Sequence, residues 1–168
     1  MSPADLLIDA FGRIRHVVHS VLNGLTPDQL AFRLEGEGNS IAWLVWHLTR
    51  IQDDHVAGAA GLEQVWTSHG WTSRFALSLS ESDTGYGHSP DDVAAVRVES
   101  AELLSGYHDA VYKQTVRYVE QLSEADLARI VDESWDPPVS LGVRLVSVIS
   151  DDLQHAGQAA FVRGIVTG

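Results

Sequence analysis

The chain contains no cysteine in 168 residues. That excludes disulfides, thiolate metal ligands supplied by the protein and a cysteine nucleophile. Any metal must be held by histidine, carboxylate or water, and any sulfur chemistry must take its sulfur from a small molecule. Basic residues are also scarce. Eleven Lys and Arg face 23 Asp and Glu, for a net charge of −12. With no Lys/Arg cluster to offset it, that balance argues against nucleic acid, whose binding relies on phosphate neutralisation. An anionic membrane surface is disfavoured for the same reason. No apolar run approaches the roughly 18–20 residues that span a bilayer. The opening residues Met1-Ser2-Pro3-Ala4-Asp5 lack the basic start and apolar stretch of a signal peptide, so the cytoplasm is the expected location. Internal repeats and low-complexity tracts are missing. So are a Ser-His-Asp order, a phosphate-binding glycine loop and a dinucleotide fingerprint.

Hydrophobic residues make up 45% of the chain and charged residues 20%, the balance of a globular protein. The length suits one domain over residues 1–168 with a substantial core. Leu6, Leu7, Ala10, Phe11, Ile14, Val17, Val18 and Val21 recur at the helical period and predict a first helix over 3–22. Ser2 is its expected cap and Pro3 its first residue. Thr26-Pro27-Asp28 starts a short helical turn to about Leu34. A loop follows to Asn39, and Ile41, Leu44, Val45, Leu48 and Ile51 predict a second helix over 41–60. Residues 61–90 are irregular, as long functional loops often are. Their Trp66, Trp71 and Tyr86 are candidates to line a pocket. Helical pattern resumes at Ser89-Pro90-Asp91-Asp92 and runs, with a break near Val98-Glu99, to about Leu122. Trp135-Asp136-Pro137-Pro138 is a rigid connection, and the last helix spans Ser140 to Val166. Four long helices predict an all-α four-helix bundle with an irregular connection in mid-chain.

The richest chemical signal lies inside the last helix, in Ser150-Asp151-Asp152-Leu153-Gln154-His155-Ala156-Gly157-Gln158. Asp151 and His155 are four residues apart, so on a helix they stack on one face. A carboxylate and an imidazole so placed can grip a metal ion if a third ligand arrives from a facing helix. His47, in Trp43-Leu44-Val45-Trp46-His47-Leu48, is that candidate. Two nitrogens and one carboxylate oxygen suit Zn²⁺ with a fourth position open, and Ni²⁺, Fe²⁺ or Mn²⁺ also fit. Asp152 competes with Asp151, because three-residue spacing also sets a carboxylate beside His155. The plain alternatives are a helical ion pair for Asp151–His155 and a hydrogen-bonded interior histidine for His47. Gln158 and Asp54 are candidates to hydrogen-bond the ligands from behind.

Other residues invite two readings each. His88, in a glycine-flanked loop, is either a mobile acid–base group or a solvated loop histidine. Tyr107 and His108 carry the same ambiguity. His55 is rotated by roughly 80° from His47 on an ideal helix, which turns it away from a ligand position. Of Trp43 and Trp46, one is expected in the core and the other in a pocket or a dimer contact. Arg144 and Arg163 would meet either an anionic substrate or an ion-pair partner.

The segments Asn39-Ser40-Ile41-Ala42-Trp43-Leu44-Val45-Trp46-His47-Leu48 and Asp151-Asp152-Leu153-Gln154-His155-Ala156-Gly157-Gln158 resemble the two signatures of the DinB-like (DinB/YfiT) superfamily. That superfamily includes the metal-binding domain of mycothiol-dependent maleylpyruvate isomerase and related thiol S-transferases. The resemblance covers essentially the whole chain. It implies that His47, Asp151 and His155 are the metal ligands. Many members carry histidine where Asp151 stands, whereas the isomerase has an acid there. The implied chemistry is S-transfer or isomerisation by a small-molecule thiol such as mycothiol or bacillithiol, activated by the metal and directed at an electrophilic carbon. The contrasting expectation is a non-catalytic bundle that binds a small apolar ligand or a partner protein. A homodimer is compatible with either.

Overall fold

The computed structural model describes residues 2–168. Among them lie nine α-helices: α1 (Pro3–Leu22), α2 (Pro27–Ala31), α3 (Ile41–Ala60), α4 (Val65–Ser68), α5 (Trp71–Phe75), α6 (Pro90–Ala95), α7 (Ala101–Val119), α8 (Glu124–Leu127) and α9 (Leu141–Thr167). Two short strands, β1 (Ile130–Asp132) and β2 (Val139–Ser140), form an antiparallel hairpin. The four long helices α1, α3, α7 and α9 make the bundle. Each of α1 and α3 packs against both α7 and α9.

The helix limits follow from local chemistry. Ser2 accepts from the Asp5 amide while the Asp5 carboxylate accepts from the Ser2 amide, a reciprocal cap that starts α1 at Pro3. Ser40 and Ser140 cap α3 and α9 through their hydroxyls. The expected break before α7 falls between Val96 and Ser100. Two features were not expected from the sequence: α4 and α5 inside residues 61–90, and the β1–β2 hairpin around the Trp135–Pro138 connection. No helix among the described residues is long and apolar enough to cross a membrane.

Phe11, Ile14, Leu44, Leu48, Leu104, Val111, Leu145 and Val148 are among the buried residues at the bundle centre. The helix α3 is buried almost all round, polar residues included. Its Asp53 accepts from the amides of Val65 (2.9 Å) and Trp66 (2.8 Å) and from the Tyr107 hydroxyl (2.9 Å). Its Arg50 lies 3.8 Å from Asp53 and donates to Gln64 Oε1 and to the Asp83 carbonyl. These buried polar side chains therefore tie the irregular segment to the bundle, satisfying backbone groups that no helix or sheet serves. Trp66, Trp71 and Phe75 are buried and pack on Tyr107 at centroid distances of 5.1–5.7 Å. They belong to the hydrophobic core of the bundle rather than to pocket walls, because burying three large rings removes far more apolar surface from water than lining a cleft would. Tyr86 alone of the aromatic residues named from that segment stays exposed.

Candidate metal centre

The helices α3 and α9 bring His47, Asp151 and His155 together, with one ligand atom from each lying within 4.8 Å of the others. His155 Nε2 is 3.6 Å from Asp151 Oδ1, one helical turn away. His47 is 5% exposed, whereas the Asp151 side chain is 36% exposed, so the cluster opens toward solvent on the α9 side.

Each histidine is oriented by the nitrogen that faces away from the cluster. His47 Nδ1 donates to the Thr84 carbonyl at 2.5 Å, which leaves Nε2 as the unprotonated donor. His155 Nδ1 donates to Gln158 Oε1 at 3.0 Å, with the same consequence. Gln158 thus stands behind His155 as the sequence suggests. Asp54 does not stand behind His47. Its carboxylate accepts from Gln64 Nε2 at 2.7 Å, because seven residues along a helix preserve the face but add about 10 Å of axial distance.

Burial and neighbouring charge set the protonation of the cluster. Burial pushes the His47 imidazole down, and the hydrogen bond to Thr84 only partly opposes it. Burial pushes the Asp151 carboxyl up, yet the adjacent His155, with His47 and His55 farther off, holds it below the usual carboxylate range. His155 is raised by its Asp151 neighbour.

Asp152 points elsewhere. It is fully buried, neither of its oxygens has a hydrogen-bond partner, and burial drives its pKa well up. The 100° step between consecutive helical residues turns it into the bundle and turns Asp151 toward α3. Asp151 Oδ2 is also buried without a partner, but on a residue of the cluster. Two imidazole nitrogens, a carboxylate with an unpartnered oxygen and ring orientations fixed from outside form a donor set that fits a first-row divalent ion.

The family model for mycothiol-S-transferase matches residues 6–168. The chain belongs to the mycothiol S-transferase family, a DinB-like family. Among solved structures, the crystal structure of a conserved protein from Enterococcus faecalis is similar. It has a TM-score of 0.91 and 32% sequence identity, covering 97% of this chain and 96% of that one. No curated protein matches.

In this chain the segment 83–88 packs on the cluster through Thr84 and Gly85. Trp43 stacks on His47 (4.5 Å, 15°) and meets His155 edge-on at 6.0 Å. Trp43 Nε1 donates to His88 Nδ1 at 3.0 Å, and His88 Nε2 lies 2.9 Å from Asp83 Oδ1, to which it donates. The His88 side chain is only 5% exposed. It is therefore not a solvated loop histidine: both nitrogens are engaged and the ring stacks on Trp46 at 5.8 Å. Trp43 and Trp46 are both buried, so neither makes a surface contact.

Gly85 lies directly on His47. A Cβ there would meet His47 Nδ1 at 2.7 Å, and its φ is +90°. Sequence reasoning missed Thr84 and Gly85. The Gly-Tyr-Gly pattern signals a turn, but nothing local indicates what the turn touches.

The remaining candidates fall outside the cluster. His55 is half-buried, with Nδ1 3.9 Å from Asp54 Oδ2. Arg144 pairs with Asp132 at 2.7 Å. Arg163 donates to the carbonyls of Val21 and Asn23, so it closes the end of α1 rather than meeting an ion. Tyr107 donates to Asp53, and His108 is fully buried with neither ring nitrogen bonded.

Proposed function

We propose that this chain is a divalent-metal-dependent thiol S-transferase in which His47, Asp151 and His155 hold the ion and mycothiol supplies the sulfur. One observation carries the reading: two histidines and an aspartate from facing helices converge, with each imidazole pinned from outside so that a free nitrogen faces the cluster. A divalent ion held by these three residues would supply the acidity that turns a small-molecule thiol into a thiolate at neutral pH. Zn²⁺ is the proposed ion, on the grounds that two nitrogens, one oxygen and an open fourth position suit its tetrahedral preference; Ni²⁺ is the second choice.

The chain's own residues orient and enclose. Thr84 and Gln158 fix the histidine rings, Trp43 walls the cluster on the α3 side, and the solvent-facing edge at Asp151 admits the electrophile. The sulfur forms a bond to an electrophilic carbon, a leaving group or conjugated π bond takes the displaced electron pair, and the thiol proton passes to solvent. Isomerisation of an unsaturated acid by addition and release of the same thiol is the variant of this chemistry that needs no further residue. His88 holds Trp43 and the 83–88 segment in place.

Metal analysis of the purified protein tests the assignment. We expect close to one ion per chain in the wild type, loss of that ion in His155→Ala and Asp151→Ala, and retention in Asp152→Ala. Metal content unchanged in His155→Ala would overturn the site.

A further inference from the structure

A second feature lies two helical turns from the metal cluster. Arg144 precedes Asp151 by seven residues on α9, and Asp54 follows His47 by seven on α3. Seven residues are nearly two turns, so each shares the face of its metal-cluster neighbour about 10 Å along the axis. The two helices run in opposite directions, so both shifts lead to the same end. There they line a cavity of about 470 Å³ together with His55, Gly58, Asp132 and Trp135. That volume lies in the range of small-molecule sites.

The chemistry of the lining is mixed in a specific way. Asp132 accepts from Ser134 and from Arg144, and its side chain is 26% exposed. Asp54 accepts from Gln64 on one oxygen, and its other oxygen lies 3.9 Å from His55 Nδ1. Trp135, on the hairpin tip, is 65% exposed, a large apolar ring with no covering partner. Gly58 is part of the lining, and a Cβ built there meets nothing within 4 Å. An anionic ligand would face two carboxylates against one guanidinium already paired. An apolar ligand would strip water from Asp54, Asp132 and Arg144 without replacing their hydrogen bonds. A neutral polyhydroxyl ligand meets neither objection. Hydroxyls donate to carboxylates and accept from guanidinium, and the flat Trp135 ring can cover the C–H face of a sugar.

We infer that the Asp54–His55–Asp132–Trp135–Arg144 cavity is the subsite for the polyhydroxyl part of the thiol, its glucosamine–inositol portion, which leaves the cysteinyl arm to reach the metal cluster. This inference rests on the thiol-transfer reading above. The two-turn separation matches the length of an extended cysteinyl amide arm joined to a sugar ring. The electrophile then approaches from elsewhere, so the cavity determines which thiol is used and not what it attacks.

Two variants test this without touching the metal cluster. Trp135→Ala removes an exposed ring, and Gly58→Leu adds bulk to the lining from a position with open space. Thiol-free N-acetylglucosaminyl-inositol, whose nitrogen stays a neutral amide, is titrated calorimetrically into chelator-treated wild type and both variants. We expect binding to the wild type and at least fivefold weaker binding to each variant. In steady-state assays the KM for the thiol should rise five- to tenfold in both, with kcat and the KM for the electrophile unchanged. Equal binding of the thiol-free polyol by wild type and both variants, or a rise in electrophile KM alone, overturns the subsite. A wild type that transfers no thiol sinks the functional reading instead. The polyol titration then decides the subsite by itself, since it involves neither metal nor sulfur.

Discussion

Replacing Gly85 by alanine is the most demanding test of how the cluster is held. The added Cβ would lie 2.7 Å from His47 Nδ1, 3.1 Å from Trp46 Cζ3 and 3.2 Å from Trp43 Cζ2. Ordinary contact begins at 3.4 Å, so either His47 or the 83–88 segment must give way by a large fraction of an ångström. Both tryptophans are buried and leave the ring little room to slide. At a φ of +90°, an L-residue also costs about 1–2 kcal/mol. Losing the His47–Thr84 hydrogen bond adds about 1 kcal/mol. The expected loss of stability is therefore roughly 2–4 kcal/mol. Freed from Thr84, the imidazole loses its fixed tautomer and angle, so metal affinity should fall about 10–100-fold. Gly87→Ala is the matched control: its φ is +73° but nothing lies within 4 Å of its Cβ, so it carries the backbone cost alone. Urea unfolding and competitive metal titration of both variants give the two magnitudes. The reasoning fails if Gly85→Ala binds metal as tightly as wild type, or if it is no less stable than Gly87→Ala.

Other expectations concern the interior. His108 is fully buried with neither nitrogen bonded, and burial lowers its pKa from 6.5 to about 4. The unfolded chain takes up a proton that the folded chain refuses. The His108 contribution to stability is therefore complete above pH 6.5 and is lost as pH falls toward about 4, about 3 kcal/mol in all at roughly 1.4 kcal/mol per unit. Urea unfolding of His108→Leu should show a shallower acid loss over that window, and curves parallel to wild type would refute the assignment. Asp53→Ala strands the amides of Val65 and Trp66, the Tyr107 hydroxyl and the Arg50 guanidinium, so it should cost about 3–5 kcal/mol. A drop of under about 1 kcal/mol on denaturation would show that the irregular segment is anchored elsewhere.

The bundle was legible in the chain because its signals are local. Apolar periodicity, with the Ser2-Pro3 cap for α1, marks α1 and α3 at the limits observed, and the four-residue spacing of Asp151 and His155 sets them on one helical face without reference to anything else. His47 was legible only as a candidate, since spacing within one helix says nothing about which helix faces it. The fate of the middle segment was illegible. Trp66, Trp71 and Phe75 have no helical period of their own, and their burial depends on Tyr107 and Asp53, dozens of residues away. Distance in sequence also hid the Trp43 partner of His88 and the role of Gly85, because a left-handed turn is named by its glycine but its neighbours are not.

The sequence by itself therefore determined the four long helices, the acidic and cysteine-free chemistry, and a carboxylate beside His155 on one face of the last helix. Choosing between Asp151 and Asp152 required the packing of α9. A single 100° step around that helix sends one carboxylate to the His47 face and the other into the apolar centre, and only the neighbouring helices say which face is which.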